Sequence, residues 1–380
     1  MTNQPTDTSP PVAEDPFEGA KPYVAKHDVP QKSDDLIRKR RRKKTKNKKL
    51  RVAVIVLVVL LVLAGLGTAF ALNLLNTGKQ SVQGAMQGAQ VEAPEEAVSY
   101  DEGKTVKHNG HTYALNENMV SIVVIGYDRD APANEGEKPG QADAVMVLAL
   151  DTQSGEVTAI GIPRDSMVDV SEFVGDAFIG QETMQLCLAF SYGDGKETSS
   201  ENTLTAVSRI LYNMPMSYYI ALNESGIAPL NDSIGGVALT ALQTVPGTNV
   251  IEGQDTVLFG YNAYRYVQWR DISILNSSLD RQARQVQYIK AFTAQALEQA
   301  EGNLGVFVDL FALASEYSIT NLGASEFSYL ISKVLENKIT GLNVVTLPGE
   351  LVQGEKFAEF YLDKNGIYQT VLDVYYQQVD

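Results

Sequence analysis

The chain predicts an α/β fold, layered and with a mixed central sheet, and three observations carry that reading. Residues 122–126, 144–150 and 157–162 are short, β-branched-rich runs bounded by Gly, Pro, Asp and Ser, the pattern of buried strands. The connection over 151–156, DTQSGE, is short and polar, which favours an antiparallel hairpin between the second and third runs. Further along, helix-periodic and strand-like stretches alternate, which implies helices layered on a sheet whose strands run in both directions.

Taken in order, residues 1–51 read as a disordered cytoplasmic tail. Its first part is rich in Pro, Asp, Lys and Thr without an apolar period, and 38–51, RKRRRKKTKNKKLR, holds 11 Lys/Arg and no acid. Residues 52–72, VAVIVLVVLLVLAGLGTAFAL, are uncharged and would span about 31 Å as a helix, enough to cross a bilayer. The basic run places the N-terminus inside and everything after residue 73 outside. Ala69-Phe70-Ala71 resembles a signal-peptidase site, but the apolar run exceeds a signal-peptide core, so the expectation is a retained anchor over 52–74. Residues 75–105, rich in Gly, Gln, Ala and Glu, read as an extracellular linker that lifts the body off the membrane.

Residues 106–380 form the predicted body. It opens with a hairpin over 106–115 across Asn109-Gly110, and after Arg164 the chain reads as irregular as far as 185–193. A helix follows over about 201–212, capped by Ser199 or Ser200, with Leu204, Val207, Ile210 and Leu211 on one face. A strand at 218–222, a helix at 227–234 ended by Gly235-Gly236, and a strand at 237–242 come next. Helices are expected from near Leu279, over 306–315 and over 325–336, then a strand at 342–347 and a terminal helix closing at 371–377.

Charge and composition narrow the function. The formal net charge of −15 hides an asymmetry, because residues 75–380 hold 17 Lys/Arg against 39 Asp/Glu, a balance of −22. So acidic a body argues against nonspecific nucleic-acid binding, which rests on neutralising phosphates. An anionic ligand would need locally gathered Arg, or a metal. Cys187 is the only cysteine, so no intrachain disulfide exists, and its neighbours Leu186 and Leu188 mark it as a small buried apolar residue rather than a nucleophile. Beyond the apolar segment the histidines are His108 and His111, flanking a turn, which leaves Ser-His-Asp, Cys-His and zinc sites without their parts.

The hairpin of runs two and three brings Asp143 to Arg164. If run one is antiparallel to run two, Asp128-Arg129-Asp130 arrives at the same sheet edge. Two carboxylates and a guanidinium suit a divalent cation plus a phosphate; the same grouping also describes an ion-pair network at strand ends, and the residues alone leave both readings open. Downstream, Arg265, Arg270, Arg281 and Arg284 are four of the seven Arg beyond residue 74. On a helix from Leu279, Arg281, Arg284 and Gln285 lie three or four apart and share a face. Helical Arg usually solvates a surface, but in an acidic body such a cluster asks for an anionic partner.

The tail, anchor and outer body carrying IGYDRD, QADAVMVLALD, GIPRDS, LNDSIGGV and DRQARQ, with a weaker echo in TLPGE, together resemble the LytR-CpsA-Psr (LCP) family of cell-wall enzymes over about residues 119–295. The resemblance implies an α/β/α-layered domain whose apolar groove holds a polyprenyl chain, with a head-group site that binds diphosphate through Mg²⁺ and Arg. It implies transfer of a glycopolymer from an undecaprenyl-pyrophosphate carrier to a peptidoglycan acceptor. Non-catalytic binding of polyprenyl pyrophosphate or wall polymer is the other reading. Position by position, Asp128 and Asp143 match the metal-binding carboxylates, Arg164 the central pyrophosphate ligand and Asp165 the group that orients it. Arg270, Arg281 and Gln285 match the remaining phosphate-binding positions, with Arg284 beside them. The chain departs from the family pattern at Gln141, where an R-S-D motif has Arg, and at Gln185-Leu186-Cys187, where Lys-x-Asn is usual. Gln268 replaces the first Arg of R-x-R, and Ser278 replaces an Asp. Gln141, Gln185 and Gln268 remain expected substrate-binding donors, but charge-assisted bonds are about twice as strong as neutral ones, so weaker diphosphate binding or an altered substrate is expected.

Overall fold

The three apolar runs become Met119–Tyr127 (β1), Ala142–Asp151 (β2) and Val157–Ile162 (β3), an antiparallel meander. Tyr218–Asn223 (β4) pairs parallel with β1, Ser318–Thr320 (β5) antiparallel with β4, and Asn343–Thr346 (β6) parallel with β3. The mixed sheet therefore runs β5-β4-β1-β2-β3-β6. This computed structural model describes residues 69, 71–86, 88–128, 139–174, 177–300 and 305–380. The predicted tail, most of the predicted anchor, and Arg129 and Asp130 lie outside them. Among the described residues no helix is long and apolar enough to cross a membrane.

Helices that cover the sheet include Glu197–Ile210 (α1), Gly260–Gln268 (α2), Ser277–Ala300 (α3), Ala324–Glu336 (α4) and Lys364–Tyr375 (α5). Side chains alternate along a strand, so Val123, Ile125 and Tyr127 of β1 enter one core with Val145 and Val147 of β2. That core is closed by Ala206 and Val207 of α1 and by Val371 and Tyr375 of α5. Val120 and Ile122 enter the opposite core, closed by Tyr329, Leu330 and Val334 of α4. Nearer the Tyr127 end of that second face, Val124 and Gly126 border a cavity also lined by Gln285 and Ile289 of α3. The layering is the α/β/α arrangement expected. At the predicted hairpin, Asn109 (φ 50°) and Gly110 (φ 84°) both take the left-handed backbone that a tight turn between Thr105–His108 and His111–Leu115 requires.

Four expectations are corrected. Residues 75–105 are not a linker. Residues 71–82 are helical, Val82, Met86, Ala89 and Val91 are buried in the two cores, and Val98–Tyr100 pairs with Thr105–His108. The small residues that read as linker composition permit close approach, since a Cβ on Gly78 would collide with the backbone of Ser325, and one on Gly103 with that of Val91. The stretch after Arg164 is not irregular but a hairpin, Met167–Val174 with Ala177–Gln185. Val168 and Val170 are buried while most of the returning strand is exposed, so only one of the two strands carries an apolar signal. Finally, α1 begins at Glu197 with Ser199 and Ser200 buried in its first turn, and Asp194 Oδ1 takes the N–H groups of Lys196 (2.7 Å) and Ser199 (3.2 Å). At the other end, Tyr376–Gln378 leaves α5 as a strand against His111–Leu115.

The first correction is testable. Met86→Ala should lower stability by about 2–5 kcal/mol, the usual cost of truncating a core Met, read as a fall in the urea midpoint. Gln83→Ala, on the exposed side of the same segment, should stay within about 0.5 kcal/mol. Equal, negligible effects would return the segment to a linker.

Candidate active site

The β2–β3 register pairs Val145 with Ile162, which leaves Asp143 and Arg164 facing each other two residues beyond. Arg164 sits in a turn closed by Ser166, whose N–H (3.1 Å) and Oγ (2.7 Å) both donate to Pro163 O. Its Nη1 donates to Asp143 Oδ1, and its Nη2 to Gln141 Oε1 (2.8 Å) and Cys187 Sγ (2.9 Å). Nε lies 3.3 Å from Asp165 Oδ1 without forming a hydrogen bond. Cys187 also ties the turns through its backbone, donating to Arg164 O and accepting from Ala142 N–H, both at 3.0 Å. Burial pushes its thiol pKa up, the Arg164 guanidinium opposing, which keeps it a neutral acceptor.

From α3, Arg281 Nη1 donates to Asp143 Oδ2 at 2.8 Å, so each oxygen of Asp143 is held by a different guanidinium. Arg281 is 3% exposed. Burial first, then the guanidiniums of Arg164 and Arg270, push its pKa down to about 9. Asp128 follows β1, and its Oδ1 accepts the Gln141 N–H at 2.5 Å while its own N–H donates to Gln141 O at 3.2 Å. Thus Asp128, Asp143 and Arg164 meet at one sheet edge as the hairpin geometry predicted, Arg281 joins them through Asp143, and Arg270 is near enough to act on the charge of Arg281.

Asp128 and Asp143 both line a cavity of about 170 Å³, whose apolar wall residues include Val124, Met146, Leu222 and Ile289. Gly126 and Ala144 are cross-strand partners at its mouth, and a Cβ on Gly126 would sit 3.3 Å from that of Ala144. Small residues here keep the mouth open. Gln268 and Gln285 line the same cavity, Gln285 Nε2 donating to Val267 O (3.0 Å) and Gln268 Oε1 accepting from Arg265 Nη1 (2.9 Å). Ser278 borders a second cavity of about 40 Å³ on the Arg164 side of Asp143.

Two predicted substrate-binding residues face elsewhere. Gln185 Nε2 donates to Asp165 Oδ1 (3.1 Å) and Ala358 O (2.7 Å), so it stands behind Asp165. Arg284, 1% exposed, donates to the carbonyls of Tyr266 and Trp269 and lines neither cavity. Three residues on a 3.6-residue helix leave an offset of about 60°, enough to send Arg281 to Asp143 and Arg284 to the end of α2. Sequence reasoning missed Glu224 and Tyr288 in the cavity wall, and the contact of Cys187 with Arg164. Glu224 reaches the site because Tyr127 pairs with Asn223, which sets Asp128 beside Glu224; it lies two residues beyond the predicted strand, and no local signal encodes that parallel pairing. Tyr264 OH donates to Glu224 Oε2 at 3.3 Å.

Among the described residues no group of three or more His, Cys, Asp or Glu could hold a metal ion. The protein's offer is the carboxylates Asp128 and Asp143 at one cavity mouth. Such a pair fits Mg²⁺, which typically takes one or two carboxylates and completes its shell with water and substrate phosphates.

The chain is 30% identical over 118 residues to the polyisoprenyl-teichoic acid–peptidoglycan teichoic acid transferase TagU of Bacillus anthracis, covering 31% of this chain and 33% of that relative. Against TagU of Bacillus mycoides it is 24% identical over 242 residues, 63% of this chain and 71% of the relative. The match thus spans about a third of the first relative's length. The crystal structure of TagV from B. subtilis shares the fold at 20% identity and a TM-score of 0.54, over 67% of this chain and 96% of that one. The profile of the LytR_cpsA_psr family matches residues 77–375, a span that takes in the sheet, the cavity and every site residue above, and the chain belongs to the LytR-CpsA-Psr family.

Proposed function

We propose that the protein transfers a glycopolymer from an undecaprenyl-pyrophosphate carrier to peptidoglycan, in a Mg²⁺-dependent phosphoryl-type transfer. One observation carries the reading: in a body whose residues sum to −22, Arg164 and Arg281 converge on Asp143 in the wall of a largely apolar cavity, with Arg270 near enough to act on the charge of Arg281. An acidic protein gathers buried cations only at a cost, and a lipid-linked diphosphate answers both the charge and the apolar wall. The teichoic acid transferases among the relatives act on a polyisoprenyl-linked polymer by name, which supports the same substrate class.

In the reaction a sugar hydroxyl of the wall attacks the phosphorus that carries the glycan. The bond from that phosphorus to the lipid phosphate breaks, and polyprenyl phosphate leaves. Arg164 and Arg281 exchange Asp143 for phosphate oxygens, and Asp165, braced by Gln185, steadies Arg164 from behind with Cys187 and Gln141. Arg270, Gln268 and Gln285 line the approach of the head group. No nucleophilic side chain is needed, because positioning and charge stabilisation suffice in such transfers. Asp128 and Asp143 would hold Mg²⁺, which when bound supplies neutralising charge to the diphosphate. A cavity of about 170 Å³ is below the roughly 300–1,000 Å³ of ordinary ligand pockets, so it takes the near end of the lipid rather than the whole chain. A single-pass anchor over 52–74 with the body outside puts the site where both substrates lie.

A second reading, non-catalytic binding of lipid pyrophosphate, is favoured by one feature: the amides of Gln185 and Gln268 are engaged within the protein, and the rim lacks the cations usual at those positions.

Release of lipid phosphate from a lipid-linked oligosaccharide separates the two. Arg164→Ala should reduce it by about 10²–10³-fold, the scale of losing one charge-stabilising donor, and EDTA should abolish it; tight binding by wild type with no turnover would sink the transferase reading. Gln268→Arg should tighten diphosphate binding by about fivefold, the difference between a charged and a neutral hydrogen bond. Unchanged affinity would show that the rim is not where the head group rests.

A further inference from the structure

Arg284 is a buried cation that none of these steps uses. Its Nη1 and Nη2 donate to Tyr266 O and Trp269 O, at and just past the C-terminal end of α2. Its Cζ lies 5.7 Å from the centre of the Tyr266 ring and 5.4 Å from that of Trp269. Tyr266 is itself fixed, its OH accepting Leu242 N–H and donating to Gln287 of α3. The last carbonyls of a helix have no partners within it, and a cation there also complements the helix dipole.

Stability alone does not account for a guanidinium at this place. Burial is the leading cause that pushes its pKa down to about 10, and an apolar side chain of similar volume would avoid that cost. What the fork supplies is geometry. Trp269 leaves the helix in extended backbone, φ −61° and ψ 142°, and the next residue is Arg270, close enough to Arg281 to act on its charge. Downstream the segment turns to solvent, with Ile272 85% and Ile274 51% exposed.

We propose that Arg284 is a positioning residue, which ties the carbonyls of Tyr266 and Trp269 to α3 and so holds Gln268 in the cavity wall and Arg270 beside Arg281, without touching substrate itself. Its importance for function rests on the phosphate-binding reading of Arg270 above, but the clamp itself does not.

The test uses the full chain in detergent, with inorganic pyrophosphate and Mg²⁺ as the probe. Trp269 is the only tryptophan in the sequence, so its emission reports the clamped segment directly. Arg284→Lys keeps the charge and loses the two-pronged fork. It should fold as wild type by thermal melt, shift Trp269 emission to the red without ligand, and weaken pyrophosphate about tenfold, within the range that small misplacement of a binding group produces. Arg270→Ala should weaken it comparably, and the double variant should bind no worse than Arg270→Ala alone, because Arg284 acts through Arg270. Additive losses in the double variant, or a folded Arg284→Lys protein with unchanged emission, would overturn the proposal. If wild type binds no pyrophosphate, the functional reading fails while the emission shift still decides the clamp. Should Arg284→Lys not fold, titrating wild type decides instead: saturation with pyrophosphate should move Trp269 emission, and a silent tryptophan would overturn the proposal.

Discussion

Asp143, held between Arg164 and Arg281, is the contact on which the site depends. It joins the β2–β3 hairpin to α3, which lies far downstream in sequence, through one carboxylate. The side chains are 21%, 11% and 4% exposed for Asp143, Arg164 and Arg281, so water screens the pair only in part. Removing one partner of a buried pair costs about 3–5 kcal/mol, because the other is left uncompensated, and residual solvent lowers that figure here. The same contact poises the site for an anion. A carboxylate keeps two cations together in the free protein, and a diphosphate carries more charge and more acceptor oxygens to the same forks.

The sheet explains why this contact borders an apolar space. Alternation sends Val123, Ile125 and Tyr127 into the core under α1 and α5, and so leaves Val124 and Gly126 for the opposite face. There Gly126 meets Ala144, and two small residues open a gap that larger ones would fill. Above it, α3 divides its polar residues by helical angle, Arg281 to the carboxylate, Gln285 to the cavity wall, and Arg284 to the end of α2. One helix thus sets both the roof of the cavity and the line of its cations.

Much of this was legible in the sequence where a signal is local. The three apolar runs, the polar turn between two of them and the left-handed Asn109-Gly110 pair each declare their structure within a few residues, and from them the meeting of Asp143 with Arg164 follows. Long-range packing was not legible. The segment over 75–105 looks like a linker because its close approach to α4 selects small residues, which are also what flexible chains contain. The hairpin from Met167 carries its apolar pattern on only one strand. Glu224 joins the site through a parallel pairing that no local pattern encodes, and the direction of Arg284 depends on where α2 ends. The burial of Cys187 follows from its leucine neighbours but its partner does not, since a thiol beside a guanidinium looks in sequence like any small residue between leucines.

The three glutamines are not equivalent once their contacts are known, and this bears on what the site retains. Gln141 offers its carbonyl oxygen to Arg164, Gln185 offers its amide to Asp165, and Gln268 accepts from Arg265. Each is a neutral link to a charged group. An arginine at 141 would face Arg164 with a like charge, and one at 268 would face Arg265. Neutral amides remove those repulsions while keeping the geometry, so the cationic character of the site is concentrated in Arg164, Arg281 and Arg270 rather than spread along the rim. A ligand that binds here therefore finds its charged partners in the central pair, with Gln268 offering only a neutral contact at the rim. That makes the orientation of Arg164 and Arg270, and the residues that fix them from behind, matter more than the number of cations at the edge.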